Sequence, residues 1–257
     1  MRISVISPVP HGGTTTASMF LAQSLAHTQS LSVMLTYTGT NRRLCEYMGV
    51  SSMDDKTRSI SQVVKLMESR AIGPEDLYDY SLKLYPNMNI MDTADPTLSD
   101  EDNAKLISYV FKNIKSDICI CDISDEIYSE TTQELFEVSD IVAIVIQPDR
   151  YSYDMFKRWK ESEYWPKKAN IMVIVNNYNE EVAALRDISK QLGIPHVNVC
   201  KIHYNPYIMK YSNTGESLTM MPYVVQRDPR VIELNTDFKE MTQYVVSNLG
   251  IRFKWEV

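Results

Sequence analysis

Two patterns of apolar residues alternate along the whole chain. Largely apolar stretches at residues 2–6, 31–36, 116–124, 140–149 and 171–177 read as strands, and that at 140–149 is so nearly all apolar that both its faces must be covered. The segment 87–93 and a shorter run at 196–202 read the same way. Between them the apolar positions fall three and four apart, as on one side of a helix. Ala17, Phe20, Leu21 and Leu25 mark the first such face, and further helices are expected at 42–48, 98–114, 129–138, 151–163, 180–192 and 236–248. Ser99-Asp100-Glu101 gives the helix at 98–114 a polar N-terminal signature. Residues 51–86 are less regular, with a helical stripe at Ile60, Val63, Val64 and Met67 and a second around 77–84. This order predicts an α/β fold: a doubly wound, mostly parallel sheet with helices on both faces. No repeat, low-complexity segment or linker interrupts it, so residues 1–257 are expected to form one domain.

Composition narrows the partners more than the fold. A net charge of −7 argues against broad nucleic-acid binding through a basic face, and Arg42-Arg43 and Lys167-Lys168 read as solvated surface. At 44% hydrophobic residues the chain can bury a sizeable core. The four cysteines (Cys45, Cys119, Cys121, Cys200) form no C-x-x-C pair and have no histidine at metal spacing. Cys119 and Cys121 alternate along a strand and should share one buried face. The first residues enter a strand rather than a leader's apolar run, and no run approaches the ~18 apolar residues of a membrane span. The expected location is the cytosol.

The most specific chemistry lies in residues 2–26, which read as a strand, a loop and a helix N-terminus, the arrangement in which free amides converge on phosphate. Ser7-Pro8-Val9-Pro10-His11-Gly12-Gly13-Thr14-Thr15 has the length and placement of the phosphate loop G-x-x-x-x-G-K-[ST]. Gly12 and Thr14 keep the second glycine and the hydroxyl, while Ser7 and Gly13 stand where the first glycine and the lysine belong. It is a phosphate loop without its main positive charge. Asp122 ends an apolar strand, where it could hold Mg²⁺ opposite Thr14 or simply cap the next turn. Thr14, Thr15 and Thr16 could bind phosphate and metal or cap the helix, and His11 could lend partial charge or be polar loop.

On these residues the chain resembles the ParA/MinD family of deviant Walker P-loop ATPases over nearly its full length. The family loop K-G-G-V-G-K-T-T falls on Pro8-Val9-Pro10-His11-Gly12-Gly13-Thr14-Thr15, and the Asp122 strand is similar to its second Walker motif, D-x-x-I-I-D-x-P. Residues 173–179 are similar to the V-x-N-R-Y segment, which implies that Asn176 recognises adenine. Residues 193–218 resemble the family's closing segment against the base and the dimer partner, with Asn205, Ser212 and Gly215 at its recognisable positions. Residues 139–159 are most similar to the TadZ/CpaE branch, which places pilus and secretion machinery at cell poles. The resemblance implies ATP or ADP with Mg²⁺ as cofactor. It would be held by His11, Gly12, Gly13, Thr14, Thr15, Thr16, Asn176 and Asn205, with Thr14 and Asp122 on the metal.

The departures bear on activity. The family's signature lysine falls at Pro8 and its Walker lysine at Gly13, while its D-x-D carboxylates fall at Thr36 and Thr38. Asp125-Glu126 stand where a glycine usually follows the Walker aspartate. Losing one electrostatic donor typically costs ~10²–10³ in rate, so no catalytic residue is assigned. The expectation is a scaffold or localisation factor for a pilus, secretion or conjugation apparatus with little or no ATP hydrolysis. It would be cytoplasmic, recruited to the inner face of the membrane through protein partners, and able to form a homodimer. The alternative is an atypical Mg-dependent ATPase, in which Mg²⁺, His11 and the threonines compensate and nucleotide-dependent dimerisation is a positioning switch. A different enzyme on the same scaffold finds no nucleophile–base pair in the sequence. In residues 251–257, Ile251, Phe253 and Trp255 alternate with Arg252, Lys254 and Glu256, which reads as a strand on the sheet edge or a partner-binding tail rather than a membrane helix.

Overall fold

The computed structural model describes residues 1–38, 43–50, 60–91, 98–124 and 127–255. The first half runs β1 (Arg2–Ile6), α1 (Thr14–Gln29), β2 (Val33–Tyr37), α2 (Arg43–Tyr47), α3 (Ile60–Glu68), β3 (Leu82–Tyr85), β4 (Met88–Ile90) and α4 (Asp100–Asn113). It continues with β5 (Ile118–Asp122), α5 (Glu130–Val138), β6 (Ile141–Ile146), α6 (Arg150–Lys160) and β7 (Asn170–Tyr178). The last elements are α7 (Leu185–Leu192), β8 (Val199–His203), α8 (Pro206–Asn213), α9 (Met220–Val225) and α10 (Ile232–Leu249). The strands form one sheet in the order β3-β4-β2-β5-β1-β6-β7-β8, parallel throughout except for the β3–β4 pair. This is the expected doubly wound α/β sheet.

The apolar runs are continuous because both faces of the sheet are covered. Ile3, Val5, Val33, Leu35, Ile118 and Ile120 point into a layer with α1, α9 and α10, where Phe20 stacks on Phe238 at 4.8 Å. Ile6, Met34, Cys119 and Cys121 point the other way, against α3, α4, α5 and α6. The two cysteines thus share one buried face, as their spacing predicts. Ser99 caps α4 by accepting from the Asp102 amide at 3.1 Å, and Ser129 and Asp149 cap α5 and α6 in the same way.

Several elements differ from the sequence pattern. The expected helical stripe at 77–84 is a 3₁₀ turn (Asp76–Tyr80) followed by β3, an antiparallel partner of β4. Leu82 and Leu84 are half-buried while Lys83 between them is exposed, a period of two too short to separate from a helix turn. The helix expected at 180–192 begins only at Leu185, that at 236–248 begins a turn earlier at Ile232, and residues 196–198 are a 3₁₀ turn before β8. Residues 251–255 form no strand. Gln29 instead pairs with Lys254: its amide donates to the Lys254 carbonyl and its oxygen accepts from the Lys254 N–H. Phe253 and Trp255 stack and pack onto the α1/α10 layer. Glu256 lies outside the described residues, and among those described no helix is long and apolar enough to cross a membrane.

At the end of β8, His203 is joined to Asp237 of α10. Its backbone N–H donates to Asp237 Oδ2 at 2.8 Å, and its ring Nδ1 lies 2.9 and 2.8 Å from the two carboxylate oxygens. Asp237 is wholly buried. The hydrogen bond that the imidazole donates to Asp237 raises it above its ordinary value, against the opposing effect of burial.

Candidate functional site

Sheet order puts the site where an open α/β sheet binds ligands. β1 lies between β5 and β6, and the chain leaves its tip through residues 7–13 into α1. Gly13 caps α1 in the left-handed region (φ 101°) and no side chain caps the helix, so the first-turn amides of Thr14–Thr16 are left for a ligand or water. Two neighbouring strand tips clamp the loop. Asn176 Nδ2 and Gln147 Nε2 both donate to the Gly12 carbonyl, at 3.2 and 3.1 Å, and Asn177 Nδ2 donates to Gln147 Oε1 at 3.2 Å. Asn176 leaves no room at Gly13, where an added Cβ would lie 2.0 Å from its Nδ2.

Asp122 ends β5, in register with Val5 of β1 and Tyr37 of β2. Thr15 Oγ1 donates to its Oδ2 at 2.8 Å. The other oxygen, Oδ1, is buried without a partner, and the residue is 5% exposed. Burial pushes this acid up to about 6, against the hydroxyls of Thr15, Thr14 and Ser18 that pull it back. The Ser18 hydroxyl completes no hydrogen bond with the free oxygen.

Loop and carboxylate sit in a cleft of about 910 Å³. Leu44 and Tyr47 of α2 and Ile208 and Met209 of α8 form its far wall, and Tyr37, Tyr128, Tyr151 and Tyr204 add further aromatic lining. Just past their C-terminal ends, α2 and α8 approach each other through two glycines. A Cβ added to Gly49 (φ 68°) would stand 2.4 Å from the Gly215 carbonyl oxygen, and one added to Gly215 (φ 68°) would stand 3.2 Å from Gly49 Cα. Among the described lining residues there is no lysine or arginine, and Asp122 is the single acid.

The structure brings His11, Gly12, Gly13, Thr14, Thr15, Thr16, Asp122, Asn176 and Asn205 to this one cleft. Thr15 makes the direct hydrogen bond to Asp122, beside Thr14. His11 is exposed at a positive φ of 57°. Asn176 spends its amide on the loop, and Asn205 uses both ends of its side chain, accepting from Tyr207 N–H and donating to the Arg230 carbonyl, each at 2.9 Å. Ser212 lies 3.3 Å from the Ser217 hydroxyl. Thr36 is buried with its hydroxyl unpartnered, whereas Thr38 lines the cleft and accepts from Ser124 N–H at 2.9 Å. Asp125 and Glu126 lie outside the described residues. Sequence reasoning missed Gln147, although it follows the apolar run of β6 as Asp122 ends that of β5. It also missed the tyrosine lining and the α2–α8 wall.

No protein-family model matches the chain, and no curated protein does. Solved structures do. The MinC:MinD cell division protein complex of Aquifex aeolicus matches at a TM-score of 0.68 and 18% identity, over 98% of this chain and 96% of that one. A ParA family ATPase from Chlorobium tepidum matches at 0.70 and 16% identity, over 97% and 99% of the two chains. The septum site-determining protein MinD complexed with Mg-ADP, from Pyrococcus horikoshii, matches at 0.66 and 16%, over 98% and 99%. The fold is that of the ParA and MinD ATPases. At such identities the likeness concerns the backbone, and a ParA/MinD fold does not by itself carry its chemistry. One carboxylate flanked by hydroxyls is a hard-oxygen donor set that suits a magnesium ion. A polyphosphate would meet the α1 amides but no lysine or arginine among the described lining residues.

Proposed function

We propose that this chain is a single-domain, cytoplasmic positioning or scaffold protein on the ParA/MinD fold, with a degenerate nucleotide site that hydrolyses little or no ATP. The observation that carries the reading is the cleft itself: the loop, three threonines and Asp122 converge, yet no lysine or arginine lines them among the described residues. Phosphoryl transfer consists largely of positioning and neutralising charge on the transferred group. With the loop lysine replaced by Gly13 and the D-x-D positions by Thr36 and Thr38, those contributions are missing.

The likeness of residues 139–159 to the TadZ/CpaE branch favours a pilus, secretion or conjugation apparatus as the partner machine. The Aquifex MinD was solved in complex with MinC, which supports a protein partner of this kind, and a homodimer is part of the reading. The orphaned Asp122 Oδ1 beside Thr15 favours the second reading, a slow Mg-dependent ATPase acting as a switch.

Phosphate release from Mg-ATP, with calorimetric titration of Mg-ATP and Mg-ADP, separates the two in wild type and Asp122→Ala. Release at the buffer background in both is the expected result. Turnover above background that Asp122→Ala abolishes would replace the scaffold with the switch.

A further inference from the structure

We propose that the His203–Asp237 pair is a pH-operated latch on the cleft: with the imidazole protonated it holds the end of β8 and the α8 wall in place, and loss of that proton lets the wall loosen. The latch does not depend on what the cleft binds.

The pair stands one step from the cleft on two sides. β8 ends at His203, and the next two residues, Tyr204 and Asn205, line the cleft. Asn205 also caps α8, accepting from the Tyr207 amide at 2.9 Å, and Ile208 and Met209 of that helix form the wall. On the other side His203 pairs with Tyr178 of β7, whose ring stands edge-on to the imidazole at 5.1 Å. Between the pairs Val175–Lys201 and Tyr178–His203, β7 spends three residues and β8 two. The residue in excess lies in the stretch Asn176-Asn177, whose side chains hold the loop through Gly12 and Gln147. Bulges of this kind re-aim side chains beside a site, and here the β8 residue that closes the bulge is His203.

The pair acts as a latch because it is the whole support of a buried charge. Asp237 has no exposed surface. Among the described residues its carboxylate accepts only from His203, through the backbone N–H and ring Nδ1. Against an imidazolium that anion is compensated. Against a neutral ring it is a buried charge without a countercharge, which is far costlier than the intact pair is stabilising. The imidazole is 15% exposed, so its proton exchanges with solvent while Asp237 stays dry. Asp237 and Glu233 of α10 favour the proton and Lys201 of β8 opposes it. β7 presents the Tyr178 ring, with Lys201 Nζ 5.6 Å from its centroid. Burial raises the Asp237 carboxyl and His203 holds it down. The hydrogen bond to Asp237 raises the imidazole, so the proton is lost above the ordinary value of about 6.5.

Hydrogen exchange on the full chain between pH 6 and 8.5, corrected for the chemical dependence of the rate on pH, tests the latch. Amides of α8 should lose protection threefold or more across that range. They should be less protected than those of β1 throughout, because they open without the whole fold. The His203 ring, titrated by NMR in wild type, should share the midpoint of that loss, a comparison that needs no variant. In His203→Gln combined with Asp237→Asn, which keeps a neutral donor and acceptor, α8 protection should be level with pH. The latch is overturned by α8 protection that is level in wild type, that changes with a midpoint unlike that of His203, or that still changes in the double variant. Protection of α8 equal to that of β1 at every pH also overturns it, since the pair would then stabilise only the fold as a whole.

Discussion

Asp122 carries the least balanced charge in the cleft. Its carboxyl is raised from an ordinary 3.8 to about 6, chiefly by burial. Because the folded value lies above the unfolded one, folding disfavours the ionised form. The penalty is absent below about pH 4, grows as pH rises towards 6, and is complete above it. At 1.36 kcal/mol for each tenfold change, it is on the order of 3 kcal/mol at neutral pH. Asp122→Asn should therefore melt at a higher temperature than wild type at pH 7.5 and close to it at pH 4, as read by calorimetry. A variant less stable at both pH values would mean that the Thr15 hydrogen bond outweighs the buried charge. A group that destabilises the empty protein fits a ligand site better than a structural cap.

At the scale of elements, the cleft wall depends on the turns that follow α2 and α8 meeting glycine to glycine. Gly49→Ala would drive a Cβ to 2.4 Å from the Gly215 carbonyl oxygen, a backbone atom that cannot swing aside, and would place alanine at φ 68°. Gly250 has the same φ with nothing within 4 Å, so Gly250→Ala measures the strain alone. Gly49→Ala should lower the melting temperature by about 4 °C or more, and by clearly more than Gly250→Ala. Equal losses would show that α2 and α8 are not keyed together. This contact also marks where sequence reading stops. Strands β1, β5, β6 and β7 were legible because a strand covered on both faces is apolar over most of its length, and α4 because Ser99 announces its cap. Asp122 was legible as the polar end of such a run. The short pieces were not: β3 spans one helix turn's worth of residues, and α8 is a polar helix whose Asn205-Pro206 start reads equally as a loop. No local pattern tells that Gly49 lies against Gly215, or that Asn176 occupies the space beside Gly13.

Across the whole molecule, stability should depend on pH through a second pair far from Asp122 in sequence. His203 joins the last strand to the last helix, and its raised value favours the protonated form in the folded state. Lys201 and Glu233 also act on the ring, the first opposing protonation and the second favouring it. That contribution is fully present below about pH 6.5 and is lost as pH rises through the raised value. Urea midpoints should fall between pH 6 and 8.5 for wild type; because burial raises the Asp237 carboxyl as well and His203 holds it down, the variant that should stay nearly level is His203→Gln combined with Asp237→Asn. An unchanged slope in the variant would remove the pair from this account.

The strand order has a consequence for how the chain comes into being. β1 is the earliest strand and the middle of the sheet, and both its neighbours come from much later sequence: Ile3 pairs with Ile120 on one side and Ile141 on the other. At a synthesis rate of roughly 5–20 residues per second, the stretch from Ile6 to Asp122, which completes the first neighbour, takes on the order of 6–23 s to appear. During that time Ile3, Val5 and Ile6 have no ladder to join, and non-local parallel pairing of this kind is slow even once the partners exist. The nascent chain thus carries its future centre as an exposed apolar strand until β5 has been made, which makes that segment a natural target for ribosome-associated chaperones and the first point from which a stalled chain would aggregate.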